Sequence, residues 1–171
     1  MKKWRRMVSS LLAAALLLTA VPTVWAAEED TGFSDVAADA WYAGAVEYVR
    51  DNGLMSGTGS ATFSPNAATS RAMLATVLYR AAGSPAAEGT AAFSDVAADA
   101  WYADAVAWAS ENGIVSGYGN GLFGTNDPVS REQIATILWR YEGSPSAESG
   151  QDFADESAIS GYASTAVDWA R

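Results

Sequence analysis

Beyond a mostly apolar run over residues 8–20, hydrophobic residues along the chain recur at intervals of three and four, the spacing of one face of a helix. Trp41, Ala45, Tyr48 and Val49 form one such stripe, and Trp101, Ala105, Trp108 and Ala109 form another. Leu74, Val77 and Leu78 make a further stripe, echoed by Ile134, Ile137 and Leu138. Asp39 and Asp99 are placed to cap the first helix of each set, and Gly53 and Gly113 to end it. Ser70 and Ser130 open the second helix, which stops before Gly83 and Gly143 with Pro85 and Pro145 just beyond. Between the helices lie turn-forming residues, most plainly Gly117-Tyr118-Gly119-Asn120-Gly121. The pattern predicts an all-α protein built from helix–loop–helix units.

The units are copies of one another. Phe33-Ser34-Asp35-Val36-Ala37-Ala38-Asp39-Ala40-Trp41-Tyr42-Ala43 returns unchanged at 93–103, a period of 60 residues, and 31 of the 60 aligned positions of 33–92 and 93–152 agree. A third copy begins at Phe153-Ala154-Asp155 and continues through Tyr162, Ala166, Val167 and Trp169, with one residue inserted. The expected organisation is a leader (1–26), a linker (27–32), two repeats (33–92 and 93–152) and a truncated third (153–171). A two-helix unit cannot bury its stripe alone, so the repeats are expected to pack on one another, with a partner chain as one way to complete the third.

Composition narrows the chemistry. Lys2, Lys3, Arg5 and Arg6, the apolar run at 8–20 and Val24-Trp25-Ala26 have the layout of a secretory signal peptide. The apolar run is shorter than the roughly 20 residues a spanning helix requires, so export with cleavage is expected, with no membrane association afterwards. Cleavage leaves six Arg against 20 Asp and Glu, a net charge near −14, which disfavours nucleic acid and anionic membranes as partners. With no Cys and no His, disulfides, thiolate or imidazole metal sites and the Ser-His-Asp triad are excluded. No cofactor or metal is implied, and the acidic residues lack the alternation of a calcium loop. Carboxylates copied in every unit also argue against the asymmetric pair of a glycoside hydrolase.

Binding is the better reading of the remaining residues. Ser70 and Ser130 are N-cap candidates, and Gln133, unlike Met73, can complete a capping box. Arg71 and Arg131 then stand at the first helical position, where a cation opposes the helix dipole by about 0.3–1 kcal/mol. That placement, made twice, suggests either an anion held between the Arg and the open N–H groups or a bridge to Asp35 or Asp95. Asp35 and Asp95 also suit turns whose backbone N–H groups they would bind. Trp41 and Trp101 could stack on a sugar ring, although indoles at helical spacing more often belong to a core. Tyr118, in its glycine-rich loop, is the better exposed contact; its counterpart in the first repeat is Thr58.

The residues resemble a known family. Phe-Ser-Asp-Val followed by Trp-Tyr-Ala-x-Ala-Val at 33–46 and 93–106, Asn-Gly-Ile-Val-Ser-Gly-Tyr-Gly-Asn-Gly-x-Phe at 112–123 and Asn-Asp-Pro-Val-Ser-Arg-Glu-Gln at 126–133 are similar to the S-layer homology (SLH) domain family. The resemblance implies a pseudo-threefold spindle around a central helical bundle, with ligand grooves between units. It further implies non-covalent, non-catalytic attachment of exported proteins to a bacterial cell wall through its secondary polysaccharide, typically at a sugar carrying a pyruvate ketal. The family's Thr-Arg-Ala-Glu motif corresponds to Ser70-Arg71-Ala72-Met73 and Ser130-Arg131-Glu132-Gln133, so Arg71 and Arg131 inherit the contact to the acidic sugar. Asp35, Asp95, Trp41 and Trp101 inherit positions in the groove. The motif Glu is replaced in both copies, Tyr162 stands at the Trp position of the third, and that copy has no Arg motif. An assembly module pairing with other chains of the cell surface layer is the alternative function.

Overall fold

The computed structural model describes residues 31–147 and 153–171. The signal-peptide reading of 1–26 lies outside the described residues, as does most of the 27–32 linker. The described chain is all-α: α1 (Ala43–Asp51), α2 (Arg71–Ala81), α3 (Ala103–Glu111), α4 (Arg131–Tyr141) and α5 (Ser164–Trp169), with a 3₁₀ turn at Glu156–Ala158. Among the described residues β pairing is limited to a single antiparallel bridge, Ser70 to Pro128.

The helix ends follow local chemistry. Gly53, Gly83, Gly113 and Gly143 all adopt the left-handed conformation, with φ between 66° and 84°. In each case the glycine N–H and the next N–H turn back to carbonyls of the last helical turn, as in Gly53 to Arg50 and Leu54 to Val49. A side chain other than hydrogen is strained at that φ, which is why glycine stands at all four ends. Ser70 and Ser130 cap α2 and α4 as expected, each hydroxyl accepting the N–H three residues on. Gln133 closes its box by accepting the Ser130 N–H at 3.1 Å. Met73 does the same through its sulfur, which accepts the Ser70 N–H at 3.5 Å, against the expectation that it could not. A thioether is a weak acceptor but a flexible one.

The first helices start later than expected. Asp39 and Asp99 cap nothing; Tyr42 and Tyr102 occupy the N-cap positions without a side-chain cap. Residues 33–43 spend their N–H groups on successive three-residue turns, Val36 to Phe33, Ala40 to Ala37 and Ala43 to Ala40, and the helix begins only when these are complete.

The units pair across their boundaries. α2 packs on α3 and α4 on α5, so the second helix of one unit lies on the first helix of the next. The principal core joins Ala72, Ala75 and Leu78 of α2, Val106, Trp108 and Ala109 of α3, Ile137 of α4, and Ile114, Val115 and Phe123 of the second-repeat loop. A smaller cluster, Val36, Ala43 and Val46 with Phe33 and Phe63, holds α1 against its own loop. The expected stripe is therefore buried in α3 at Ala105, Trp108 and Ala109, but not in the first repeat, where Trp41 ahead of α1 and Ala45 and Tyr48 within it face solvent. The core expectation for the indoles fails as well: Trp41 is 94% and Trp101 64% exposed, each lying edge-on to the tyrosine that follows it. Both precede the helix proper, where the chain is still turning, so helical spacing did not apply to them.

Candidate ligand-binding groove

The second-repeat loop is folded around a carboxylate. Asp95 accepts the N–H groups of Phe123 and Gly124 at 2.7 Å each and of Thr125 at 3.3 Å. Burial pushes its pKa up, but these three donors together outweigh that and hold it below the ordinary value. Asp35 does the same for Phe63 and Ser64 in the first repeat, and the N–H of Phe63 is the main reason its pKa is lowered. Both aspartates thus serve as loop clamps.

Arg71 enters this loop from the preceding unit. The Ser70–Pro128 bridge aligns the N-terminus of α2 with the loop, and the N–H groups of Arg71 and Ala72 donate to the carbonyls of Asp127 and Thr125. These donors are consequently spent on protein, and an anion held on the open helix end, as the sequence suggested, is not what the arrangement offers at α2. The side chain turns inward instead. Its Nε donates to the Phe123 carbonyl and its Nη2 to the Ser116 carbonyl, both at 2.8 Å. The guanidinium lies 4.8 Å from the ring centres of both Tyr118 and Phe123. Although only 6% exposed, it is paired with no carboxylate among the described residues, so the expected bridge to Asp95 is not formed. A buried charge in this state is costly unless something compensates it.

A cavity of about 270 Å³ opens beside it. Its wall is made by Arg71, by Val115 to Tyr118 of the loop, by Gln133, Thr136, Ile137 and Arg140 of α4, and by Tyr162. Tyr118 donates its hydroxyl to Asp127 at 3.0 Å; burial, reinforced by that carboxylate, raises its pKa against the opposing charge of Arg71. The third-repeat segment is fastened to α4 by Glu132, which accepts the Ser160 N–H and hydroxyl and the Tyr162 hydroxyl at 2.9–3.0 Å. The Ser160 N–H is the main reason the Glu132 pKa is lowered. Glu132 thereby places the Tyr162 ring on the rim of the cavity.

The chain aligns with the S-layer homology domain family over residues 32–73 and 92–135, which together make half of its length. The chain belongs to that family. It is 34% identical to the surface-layer 125 kDa protein of Lysinibacillus sphaericus over 94% of this chain and 13% of that protein. It is 30% identical to a surface layer protein of Brevibacillus choshinensis over 83% of this chain and 13% of that one. An endoglucanase of Bacillus sp. (strain KSM-635) is 32% identical over 79% of this chain and 15% of the enzyme. The chain thus spans about a seventh of the length of these relatives. Membership places this SLH chain among exported proteins of the bacterial cell surface, and among the described residues no helix is long and apolar enough to cross a membrane.

The structure brings together Arg71, Tyr118 and the cap residue Ser70 of this SLH chain, with Asp95 behind the loop. It leaves Arg131 elsewhere: exposed at the start of α4, it makes no hydrogen bond or ion pair among the described residues, and neither its backbone N–H nor that of Glu132 meets a loop like the one that receives Arg71. Trp101 and Trp41 occupy, one and two units earlier, the position that Tyr162 takes beside the cavity. Of the other wall residues, Arg140 and Thr136 belong to no motif read from the sequence, and Tyr162 is visible there as the counterpart of Trp41 and Trp101. Arg140 had a signal, since it repeats Arg80 at the 60-residue period, but a basic residue in the last turn of a helix is explained by the dipole alone.

Proposed function

We propose that the chain is a non-catalytic wall-anchoring module that binds the secondary cell-wall polysaccharide at an acidic sugar. The groove is the cavity between the second-repeat loop, α4 and the third-repeat segment, and the pyruvate ketal typical of the family would supply its carboxylate. One observation carries the reading: the guanidinium of Arg71 is at the cavity wall, almost fully buried and unneutralised, with its Nη1 donors bonded to nothing among the described residues. A ligand carboxylate would satisfy both the charge and the donors. Arg140 adds a second cation at the wall, and Gln133 and Ser116 add polar edges for sugar hydroxyls. Trp41 and Trp101 are proposed as stacking faces of neighbouring grooves, Ser130 and Arg131 as the matching anchor for a further unit, and Asp35 and Asp95 as supports that fold the loops.

Co-sedimentation with deproteinised walls of Lysinibacillus sphaericus tests this. Native walls should retain the protein. Walls stripped of secondary polysaccharide, walls whose carboxylates have been amidated, and native walls offered to Arg71→Gln should each lose at least about tenfold in binding, as expected for a charge-assisted bidentate contact. Equal retention in all four cases would overturn the proposal.

A second reading, association with another chain of this family, is favoured by the exposed face of the first repeat, where Trp41 and, on α1, Ala45 and Tyr48 lie uncovered. Sedimentation equilibrium checks it: a species that stays monomeric at high concentration rules it out.

A further inference from the structure

The two repeats differ at three positions that meet around Arg71. The second repeat has Tyr118, Gly124 and Asp127 where the first has Thr58, Ser64 and Ala67. We propose that Tyr118, Gly124 and Asp127 form a seat for Arg71, in which Tyr118 is a positioning residue that makes the second-repeat groove selective for an anionic ligand. The inference rests on the binding function proposed above.

The members of the seat lie against one another. The Tyr118 ring forms one face against the Arg71 guanidinium and Phe123 the other, each with its centre 4.8 Å away. Asp127 pins the ring by accepting its hydroxyl at 3.0 Å. Gly124 makes room: at its φ of +80°, a Cβ would come within 2.5 Å of Tyr118 Cε2 and 2.8 Å of Asp127 Oδ2. A side chain at 124 would therefore displace the ring at 118 and the carboxylate at 127 from the places they hold. In the first repeat the ring is absent and a side chain is present: Ser64 takes the left-handed conformation (φ 61°), and its hydroxyl lies 2.6 Å from that of Thr58. Ala67 leaves no acceptor at the place of Asp127.

The physical consequence concerns charge. A carboxylate would also hold a buried guanidinium, but it would cancel the charge that a ligand is to meet. Two ring faces and two carbonyls hold it and leave the net charge in place. The second-repeat groove therefore presents a fixed, unneutralised cation, whereas the first-repeat loop, with Thr58 and Ser64 bonded to each other, is built without a seat for one.

The test uses the full chain and purified wall polysaccharide of Lysinibacillus sphaericus, in native and carboxyl-amidated forms, by titration calorimetry. The triple variant Y118T/G124S/D127A transplants the first-repeat set, and its folding is checked by circular dichroism and thermal midpoint. Its affinity for native polysaccharide should fall roughly 3- to 30-fold, the scale of a partly desolvated cation–π contact, and its preference for native over amidated polysaccharide should fall with it. Tyr118→Phe keeps the ring and should retain that preference; Tyr118→Leu fills the space without a π face and should lose it, which decides the matter if the triple variant does not fold. A folded triple variant, or Tyr118→Leu, with wild-type affinity and preference overturns the seat while Arg71→Gln still loses binding. If Arg71→Gln also keeps wild-type binding, it is the proposed function that fails.

Discussion

α1 and α3 grow from the same eleven residues, 33–43 and 93–103, yet they end in different surroundings. α3 lies on α2 and buries five consecutive residues, 105–109, including Trp108 at 8% exposure. α1 buries only Ala43 and Val46, and Tyr48, the counterpart of Trp108, is 62% exposed. What the two share is everything local: the turns before the helix, the aspartate clamp on the loop and the glycine that ends the helix. What separates them is a neighbouring second helix. A repeat thus carries its own loop architecture with it but borrows most of its core from the unit before.

The largest test of that contrast is truncation at the equivalent aromatics. Trp108→Ala removes a ring packed between Tyr79 and Tyr141 and should cost about 3–5 kcal/mol in denaturant unfolding. Tyr48→Ala should change stability by no more than about 0.5 kcal/mol. Comparable losses would mean that α1 is covered in solution.

Next come the clamps. Asp95→Ala leaves three loop N–H groups without their acceptor and should cost about 2 kcal/mol. Asp35→Ala, with two donors at an exposed loop, should cost less. Because both carboxyls have folded-state pKa values below the ordinary 3.8, their stabilisation is complete above that pH and is lost as pH falls through the lowered values. An acid-unfolding profile should therefore be flatter in Asp95→Ala below about pH 4 than in the parent; an unchanged slope would refute the clamp.

A smaller effect is expected at the other joint. Glu132→Ala removes the acceptor for Ser160 and Tyr162, and residues 153–171 should become more readily cleaved by protease while α1 to α4 keep their helicity. The corresponding residue between the first and second repeats is the buried Ala72, so Ala72→Glu should not create a second latch. Smallest of all, Trp41→Ala should leave stability within about 0.5 kcal/mol, since the indole is almost wholly in solvent. A larger loss would show that this face has a partner.

Much of the site could be read from residue order. The repeated Ser-Arg at the head of the second helix marked both the cap and the cation, and Tyr118 was expected to be exposed from the glycines around it. The rest of the groove depends on residues brought together from distant parts of the chain. Arg71 meets Ser116 and Phe123 across 45 and 52 positions, and Tyr162 reaches Glu132 across 30. Helical spacing does not reach residues 33–42 and 93–102, where the backbone is still closing three-residue turns, so Asp39 and Asp99 cap no helix and Trp41 and Trp101 stay out of the core.

By itself, the sequence determined the units: their period, their helices, the serines that begin the second helix of each and the glycines that end both, because each depends on groups a few residues apart. The tertiary structure decided which helix lies on which, and hence that α3 is core while α1 is surface. It also decided that Arg71 is held by carbonyls and ring faces instead of a carboxylate. Burial and charge compensation are properties of a place in the fold, and two nearly identical segments can occupy two different places.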